Sequence, residues 1–543
     1  MSKETFARAI ALKNAIKFNG TCNQGTIIGA LIKEFPKSKP KDLAILAGNT
    51  VKEVNKLSLK KQKKEFNNLN KNLFEKKKEH GFFDSLHVRG KVTTAFPPEP
   101  SKYLHIGHAK AVYINYKLAK DKKGIFILRF EDTNPKLAKK EFYDIHLKDY
   151  EWLGIEPDEV VHASDYMGLY YEKAKILINK GLAYSCSCNK ELISEGRREG
   201  KTCSCRNKTI KENLKEWKEM PKLKEGSRIL RLKVDMEHKN YVMRDPTIFR
   251  IIKAKHPLKG NDYKVWPNYD FENSVMDGHQ GITHRLRSKE FELRNELQVF
   301  IQKNLNYKTT KIFEFARFEL KDVVTSGRQI RELVSSGSLR GWDDPRLATL
   351  GALRKRGFQP EAIKNFLLST GLNKTESILT WDDLFLHNRR VLDKTADRYF
   401  FIEKPKLITI KNCPETIVKL KKNPNSKKYE RTFKINGKFY INEPDFKNFK
   451  KGKIYRLMDA VNFKFDGKNF TYHSDSVEKY KKKGTAIIHW LPKDEAVTTT
   501  VLMPSNKLIK GLVELAALKS DVLQFERFGF CKRNNKEFWY AHK

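Results

Sequence analysis

A chain of 543 residues has room for about three to five domains at roughly 100 to 200 residues each, which excludes a small single-core scaffold. Lys and Arg total 108 against 65 Asp and Glu, a formal excess of 43 positive charges, yet 39% of the residues are hydrophobic and 11% aromatic, so cores form and global disorder is excluded. So basic a surface concentrates phosphate polyanions and makes nucleic acid or an anionic membrane the leading partner class, with solvated helix faces taking a share of the excess. The first twenty residues, MSKETFARAIALKNAIKFNG, interrupt their apolar positions with Lys and Arg, and no run of 18 apolar residues follows, so a soluble, cytosolic protein is expected. Seven cysteines, four of them at 186, 188, 203 and 205, fit a reducing compartment and not a disulfide framework.

Residues 1 to about 80 read as helices, with Ala9, Leu12 and Ile16, then Ile28, Leu31 and Phe35, at i, i+3, i+7 spacing. A Lys-rich helical or linker stretch, LSLKKQKKEFNNLNKNLFEKKKEH, marks the first boundary. From Lys91 a short strand (92–96), a turn, a helix carrying Ile106, Ala109, Tyr113 and Tyr116, and a second strand, GIFILRF, form a βαβ unit. Parallel sheets of this kind place ligands beyond the carboxyl ends of their strands, near helix N-termini that attract phosphate. The turn FPPEPSKYLHIGH occupies such a place, although it lacks a Gly-rich dinucleotide or P-loop fingerprint. Beyond residue 390, Asn436-Gly437 and Asp466-Gly467 sit between alternating strands as two-residue hairpin signals, and with AIIHWLP and FCKRNNKEFWYAHK they predict antiparallel barrels or sandwiches.

His105 and His108 flank Gly107 at the start of the first βαβ helix, where imidazoles can donate to phosphate oxygens and a glycine lets a flat base or ribose approach. The set C-S-C, fourteen residues, C-S-C offers four soft ligands suited to tetrahedral zinc, with reduced, unliganded thiols as the alternative because C-x-C is tighter than the usual C-x-x-C.

The segments PPEPSKYLHIGHAKA, ILRFEDTNP, AYSCSC, VWPNYDF, GITHRLR and GWDDPRL, in that order from about residue 86 to 400, resemble the catalytic core of class I glutamyl- and glutaminyl-tRNA synthetases. The helical N-terminus and β-rich C-terminus resemble the archaeal and eukaryotic glutamyl kind. The resemblance implies ATP-dependent activation of an amino acid, with Mg²⁺ accompanying the ATP, and transfer to the 3′-terminal adenosine of tRNA. Positioning and charge stabilisation then supply most of the catalysis. It further implies that His105 and His108 touch ATP phosphates with Gly107, Lys102 and Arg328 nearby, and that Ser326 and Arg328 belong to the second signature loop. Glu131 would hold the substrate ammonium, its alternatives being a helix cap or a surface acid. Tyr269 and Asn273 would line the amino-acid pocket, unless Tyr269 is a buried aromatic of the sheet.

Arg287 favours glutamate over glutamine, because a guanidinium matches a carboxylate and an amide presents it with a donor. The competing account is a structural ion pair with Glu290 or Glu292. The partners implied are tRNA specific for glutamate, glutamate and ATP, with no membrane, and the chain is expected to be a monomer. Cys186, Cys188, Cys203 and Cys205 would form a structural zinc knuckle in an insertion that meets the tRNA acceptor end.

Three positions depart from the family's pattern. Ala95 stands where an Arg reaches the amino-acid carboxylate, Lys102 stands where a Gly precedes the Tyr-Leu-His segment, and Gly327 stands where the second loop carries a Lys on the pyrophosphate side. Lys102 and Arg328 are expected to replace part of the lost charge. A glutaminyl enzyme and a divergent tRNA-binding copy are the rival readings. The expected architecture is a multidomain α/β plus all-β chain: a helical extension (1–85), a Rossmann-like core in two halves (86–185 and 256–320) around the cysteine-bearing insertion (186–255), a helical connector (321–390) and β-barrel anticodon domains (391–543). In the connector, Arg340, Arg346, Arg354, Lys355 and Arg356 are expected to contact the tRNA backbone.

Overall fold

The computed structural model describes residues 2–36, 38–73, 81–425 and 431–543, and the chain divides into two compact units at Val88/Arg89. In the first unit four helices, α1 (Lys3–Lys17), α2 (Gln24–Glu34), α3 (Pro40–Asn55) and α4 (Leu59–Leu73), enclose a core of Ala7, Ala11, Leu12, Ala15, Ile27, Leu31, Leu43, Ala47 and Val54. Alanines four apart on α1 let its neighbours pack close, so the buried face runs through Ala7, Ala11 and Ala15, and Ile16 lies at its margin. The Lys-rich stretch is helical through Leu73; the rest of it, 74–80, lies outside the described residues. The buried Gln62 amide anchors α4 by donating to the carbonyls of Gly20 and Val54, each at 2.9 Å.

The second unit opens with the parallel strands β1 (Thr93–Phe96), β2 (Ile125–Phe130) and β3 (Glu159–His162). Helix α5 (Ile106–Asp121) crosses from β1 to β2 and buries Ala109 and Val112 against Phe126, Leu128 and Phe130. After α6 (Lys140–Trp152) and α7 (Met167–Asn179), an antiparallel sheet of β4 (Ala183–Cys186), β5 (Ile229–Leu232), β6 (Thr247–Ile251) and β7 (Val265–Pro267) interrupts the core. This sheet begins three residues before Cys186 and ends at Pro267, so it reaches past both expected bounds of the insertion, 186 and 255. Helices α8 (Lys190–Glu199) and α9 (Ile210–Glu219) belong to the same insertion. The chain then returns through α10 (Tyr269–His279) to β8 (His284–Ser288), α11 (Asn295–Asn304) and β9 (Lys311–Phe315), with β8 and β9 parallel. The Thr283 amide donates to the Thr93 carbonyl at 2.9 Å, which sets β8 beside β1. The carboxyl ends of β1, β2 and β8 and the N-terminus of α5 therefore face one crevice, the ligand-binding position of such folds.

Four connector helices follow: α12 (Gly327–Ser335), α13 (Leu350–Arg356), α14 (Pro360–Ser369) and α15 (Trp381–Thr395). Two seven-stranded sheets complete the chain. In one, the two edge strands are Asp397–Tyr399 and Phe401–Ile402; in the other, Gly484–Ile488 and Trp490–Pro492. Each pair of edges is one run of chain bent in the middle, so each sheet curls back on itself as a barrel and not as a sandwich.

Both hairpin expectations change. Asn436-Gly437 links Arg431–Ile435, which pairs with Thr416–Leu420, to Lys438–Asn442, which pairs with strands of a different sheet. The turn chemistry holds there, with Gly437 at φ 85°, but it serves a crossing between sheets. Asp466-Gly467 does join paired strands, through a four-residue loop (466–469) in which Asp466 Oδ1 accepts from the amides of Lys468 and Asn469. No described helix is long and apolar enough to cross a membrane.

Candidate active site

His105 is the N-cap of α5, and His108 sits three residues into it. His105 Nδ1 accepts from the Gly107 amide at 3.1 Å, and His108 Nδ1 accepts from the His105 amide at 3.2 Å. Two imidazoles thus complete a reciprocal capping box usually made by Ser or Thr with Glu. Burial, with the Lys102 and Arg317 charges, holds His105 down at about 4; burial and the neighbouring His105 push His108 well below the usual histidine value. Both rings are neutral at physiological pH. Because each Nδ1 accepts, each proton rests on Nε2. Gly107 has a reason of its own: a Cβ there would lie 2.9 Å from His105 Cε1, so the glycine makes room for the imidazole.

The turn is fastened to the connector. The Ile106 amide donates to the Ala348 carbonyl at 3.1 Å, the Leu350 amide to the Leu104 carbonyl at 2.9 Å, and Tyr103 stacks on Trp342 at 4.9 Å.

Glu131 follows the last residue of β2 and is partly buried; it caps no helix. Its carboxylate accepts from Thr133 Oγ1 at 2.8 Å and from Asn273 Nδ2 at 3.0 Å, so the structure joins two of the expected pocket residues directly. Burial and the adjacent Glu272 raise the Glu131 carboxyl well above the usual range. The next residue, the fully buried Asp132, accepts from the Ser164 amide and hydroxyl and from Tyr143 Oη, all within 2.9 Å, and thereby fixes the Glu131 backbone. Arg129 donates to Asn273 and Asp277, each at 3.0 Å, and to Gln280 at 2.7 Å. Nothing in the spacing of the sequence distinguishes these supports; an acid directly after Glu131 was the available signal.

Tyr269 is the first residue of α10, not a residue of the sheet, and its ring lies 5.7 Å from that of Phe291. Arg287 is 5% exposed. Its guanidinium donates to Gln298 Oε1 at 2.9 Å, to the Phe291 carbonyl at 3.2 Å and to Asn295 Oδ1, and its Nε has no partner. Glu290 pairs with Arg317 and Glu292 with Lys374, so the structural ion pair considered for Arg287 is not made.

The second signature loop lies close to the first. Ser326 caps α12, accepting from the Gln329 amide at 3.5 Å. A Cβ at Gly327 would meet Lys102 Cδ at 3.4 Å, which places the Lys102 stem against the position that lacks its lysine. Arg328 departs from expectation. Its side chain is 87% exposed and pairs with Glu332 one turn along α12 at 3.0 Å, because helix geometry turns residue 328 away from the crevice.

A model of the class I tRNA synthetase (E and Q) catalytic domain matches residues 91–394, and a model of the anticodon-binding domain of the same group matches 396–483. The chain is 36% identical over 547 residues to a glutamate–tRNA ligase of Methanothermobacter thermautotrophicus, covering 98% of each chain. It is 37% identical over 549 residues to one of Methanocaldococcus jannaschii, covering 98% of this chain and 99% of that one, and 35% identical over 573 residues to one of Pyrococcus abyssi, covering both fully. This chain belongs to the class I tRNA synthetases of the E and Q group.

In this synthetase the four cysteines of the insertion converge, their Sγ atoms all within 4.8 Å of one another. Cys186 ends β4, Cys188 follows it, and Cys203 and Cys205 approach from a short helical turn. The connector's basic residues mostly have acidic or carbonyl partners within the protein, although only Arg356 is buried. Arg356 is 1% exposed and donates to the carbonyls of Pro345, Tyr540 and Ala541, which bolts α13 to the last strand. Arg346 pairs with Asp344, Lys355 with Asp343 and Arg354 with Asp149. Arg340 is exposed over Trp539. Arg356 is therefore a structural cation and not a tRNA contact, a consequence of its stacking under Trp381.

Proposed function

We propose that the synthetase is a glutamate–tRNA ligase: a glutamate carboxylate oxygen attacks the α-phosphate of MgATP, pyrophosphate leaves, and the 3′-terminal adenosine of tRNA takes the glutamyl group with release of AMP. The observation that carries the choice of glutamate is Arg287. The hydrogen bonds of this buried guanidinium all end on neutral oxygens, and Asp270 and Asp277 act on it only from a distance, so a carboxylate arriving in direct contact is strongly favoured. The side-chain carboxylate of glutamate supplies that anion; the amide of glutamine does not.

The remaining roles follow from the same geometry. His105 and His108 offer Nε2–H donors to the nucleotide phosphates at the N-terminus of α5, where the helix dipole already favours negative charge. Their neutrality lets them donate without shifting charge as the phosphate changes. Glu131, held by Thr133 and Asn273 and crowded by Glu272, gains a countercharge when the substrate ammonium binds. Lys102, lying where the lysine of the second loop would start, supplies the cation on the pyrophosphate side, with Ser326 capping the helix behind it. Tyr269 closes the amino-acid pocket against Phe291.

Cys186, Cys188, Cys203 and Cys205 fit a structural zinc ion: four sulfurs at about 2.3 Å from a tetrahedral centre stand about 3.8 Å apart, and Cys186 and Cys203 are at 3.9 Å. Such an ion would tie the end of β4 to the turn at 203–205, and metal analysis should find one equivalent of zinc per chain, lost on Cys203→Ser.

The decisive experiment is pyrophosphate exchange and aminoacylation with glutamate and glutamine side by side, in the presence of tRNA. Glutamate should support both reactions, and Arg287→Leu should remove the preference for it. Activity with glutamine alone, or with neither amino acid, overturns the reading.

A further inference from the structure

Two positions before Arg287 on the same strand stands a second arginine, Arg285, which the motif did not single out. Alternation along β8 puts both side chains on one face, roughly 6.6 Å apart along the strand, and that face turns toward α10. Arg285 is 2% exposed. One of its nitrogens, Nη2, pairs with Asp277, a carboxylate that also receives Arg129 at 3.0 Å. The other two, Nε and Nη1, are buried and have no partner. The Tyr269 phenol lies in the field of both guanidiniums, that of Arg285 being the stronger. On the neighbouring strand Ala95 adds no charge, since it packs with Ile127 and Ile282.

Buried donors left open beside a pocket are an incomplete site, because burying a polar group without a partner is costly. Asp277 is shared by Arg129 and Arg285, and Glu272 Oε1 lies 3.4 Å from Arg129 Nε, so the acids of this layer meet Arg129 and one nitrogen of Arg285, while Arg285 Nε and Nη1 face no carboxylate in direct contact. The amino-acid pocket, with Tyr269 at its side and Glu131 and Asn273 at its end, adjoins it.

We infer that Arg285 is a second specificity-determining cation, which binds the side-chain carboxylate of the substrate together with Arg287. The inference rests on the glutamate reading above and deepens it: the acid is told from the amide by two guanidiniums, and Arg285 supplies its open Nε and Nη1 to the carboxylate. A single cation can be satisfied by a rotated water or amide oxygen, whereas two converging cations leave an amide NH₂ facing a donor in either orientation.

The test uses the full-length enzyme and three small molecules: glutamate, glutamine, which lacks the side-chain carboxylate, and glutamol, which keeps it and lacks the α-carboxylate. Arg285→Met should leave Asp277 paired with Arg129, so the fold should survive. In this variant the KM for glutamate and the inhibition constant of glutamol should each rise at least tenfold, and the inhibition constant of glutamine should change by less than threefold. Arg285→Lys should recover part of the loss. A parallel rise for glutamate and glutamine with glutamol unmoved would assign Arg285 to the α-carboxylate and overturn the inference, as would equal losses for all three with a lowered Tm, the mark of a purely structural cation. If Arg285→Met does not fold, Arg285→Lys decides by the same three constants. A wild-type enzyme that does not activate glutamate would sink the underlying reading; a wild type that does, with constants unmoved in the variants, sinks only this one.

Discussion

The two signature turns of this synthetase face the same crevice but are built in opposite ways. The first, Lys102 to His108, is tied down residue by residue: two imidazoles cap α5, the Lys102 carbonyl meets His146 Nε2 at 2.8 Å, and Tyr103 stacks on Trp342. The second, Val324 to Arg328, has a serine cap, a glycine where a cation is expected, and an arginine turned to solvent. The first turn therefore carries both the denser set of contacts and, in Lys102, a cation. On the reading proposed above, in which Lys102 supplies the cation on the pyrophosphate side, a charge carried by a well-anchored backbone needs little reorganisation when pyrophosphate departs.

The two turns differ most in Lys102. Removing one donor from a preorganised site commonly costs about 10² to 10³ in rate, so Lys102→Gly should lower glutamate-dependent pyrophosphate exchange by roughly that factor. Gly327→Lys placed in the Lys102→Gly background should restore at least about tenfold of it, because the new stem then occupies the volume that Lys102 vacates. In the wild type the same substitution should gain little, since Lys102 already occupies the space beside position 327, its Cδ within van der Waals contact of a Cβ there at 3.4 Å. Arg328→Ala, by contrast, should change exchange by less than about twofold, as expected of an exposed i,i+4 pair. A Lys102→Gly enzyme of normal rate, or a double variant that stays slow, would show that the two positions are not exchanged.

What could be read from the sequence in advance divides along the same line. The crevice and its helix N-terminus follow from the strand–helix–strand pattern, and the resemblance implies that Glu131 and Asn273 belong to one pocket, but their direct hydrogen bond is fixed by long-range packing that no local spacing encodes. The barrels were legible as a class from alternation and turn residues. Where two strands go after a turn was not: Asn436-Gly437 obeys its local rule, and long-range pairing decides that its strands belong to different sheets. Charge was the least legible property. Arg356, Arg328 and Arg285 look alike as letters, yet one is a buried bolt, one a solvated helix face and one a cation with open donors, and only burial and partners separate them.

The smallest effect expected is on acid stability, and it probes whether the first turn depends on its unusual caps. His105 has a folded-state value of about 4 against about 6.5 for an unfolded imidazole. A depressed value means that the unfolded chain takes the proton first, so the stability from the neutral cap is complete above about pH 6.5 and drains away as pH falls toward 4. Protonation also fills Nδ1, which can then no longer accept from the Gly107 amide. Asn caps helices well and does not titrate, so His105→Asn should fold. Between pH 7 and pH 4.5 the wild-type Tm should fall by a few degrees more than that of His105→Asn, because His146 and His542, also held at about 4, contribute equally to both proteins. Equal slopes would mean that the imidazole cap carries no proton linkage, and the contrast between the two turns would then have to rest on the Tyr103 and His146 contacts alone.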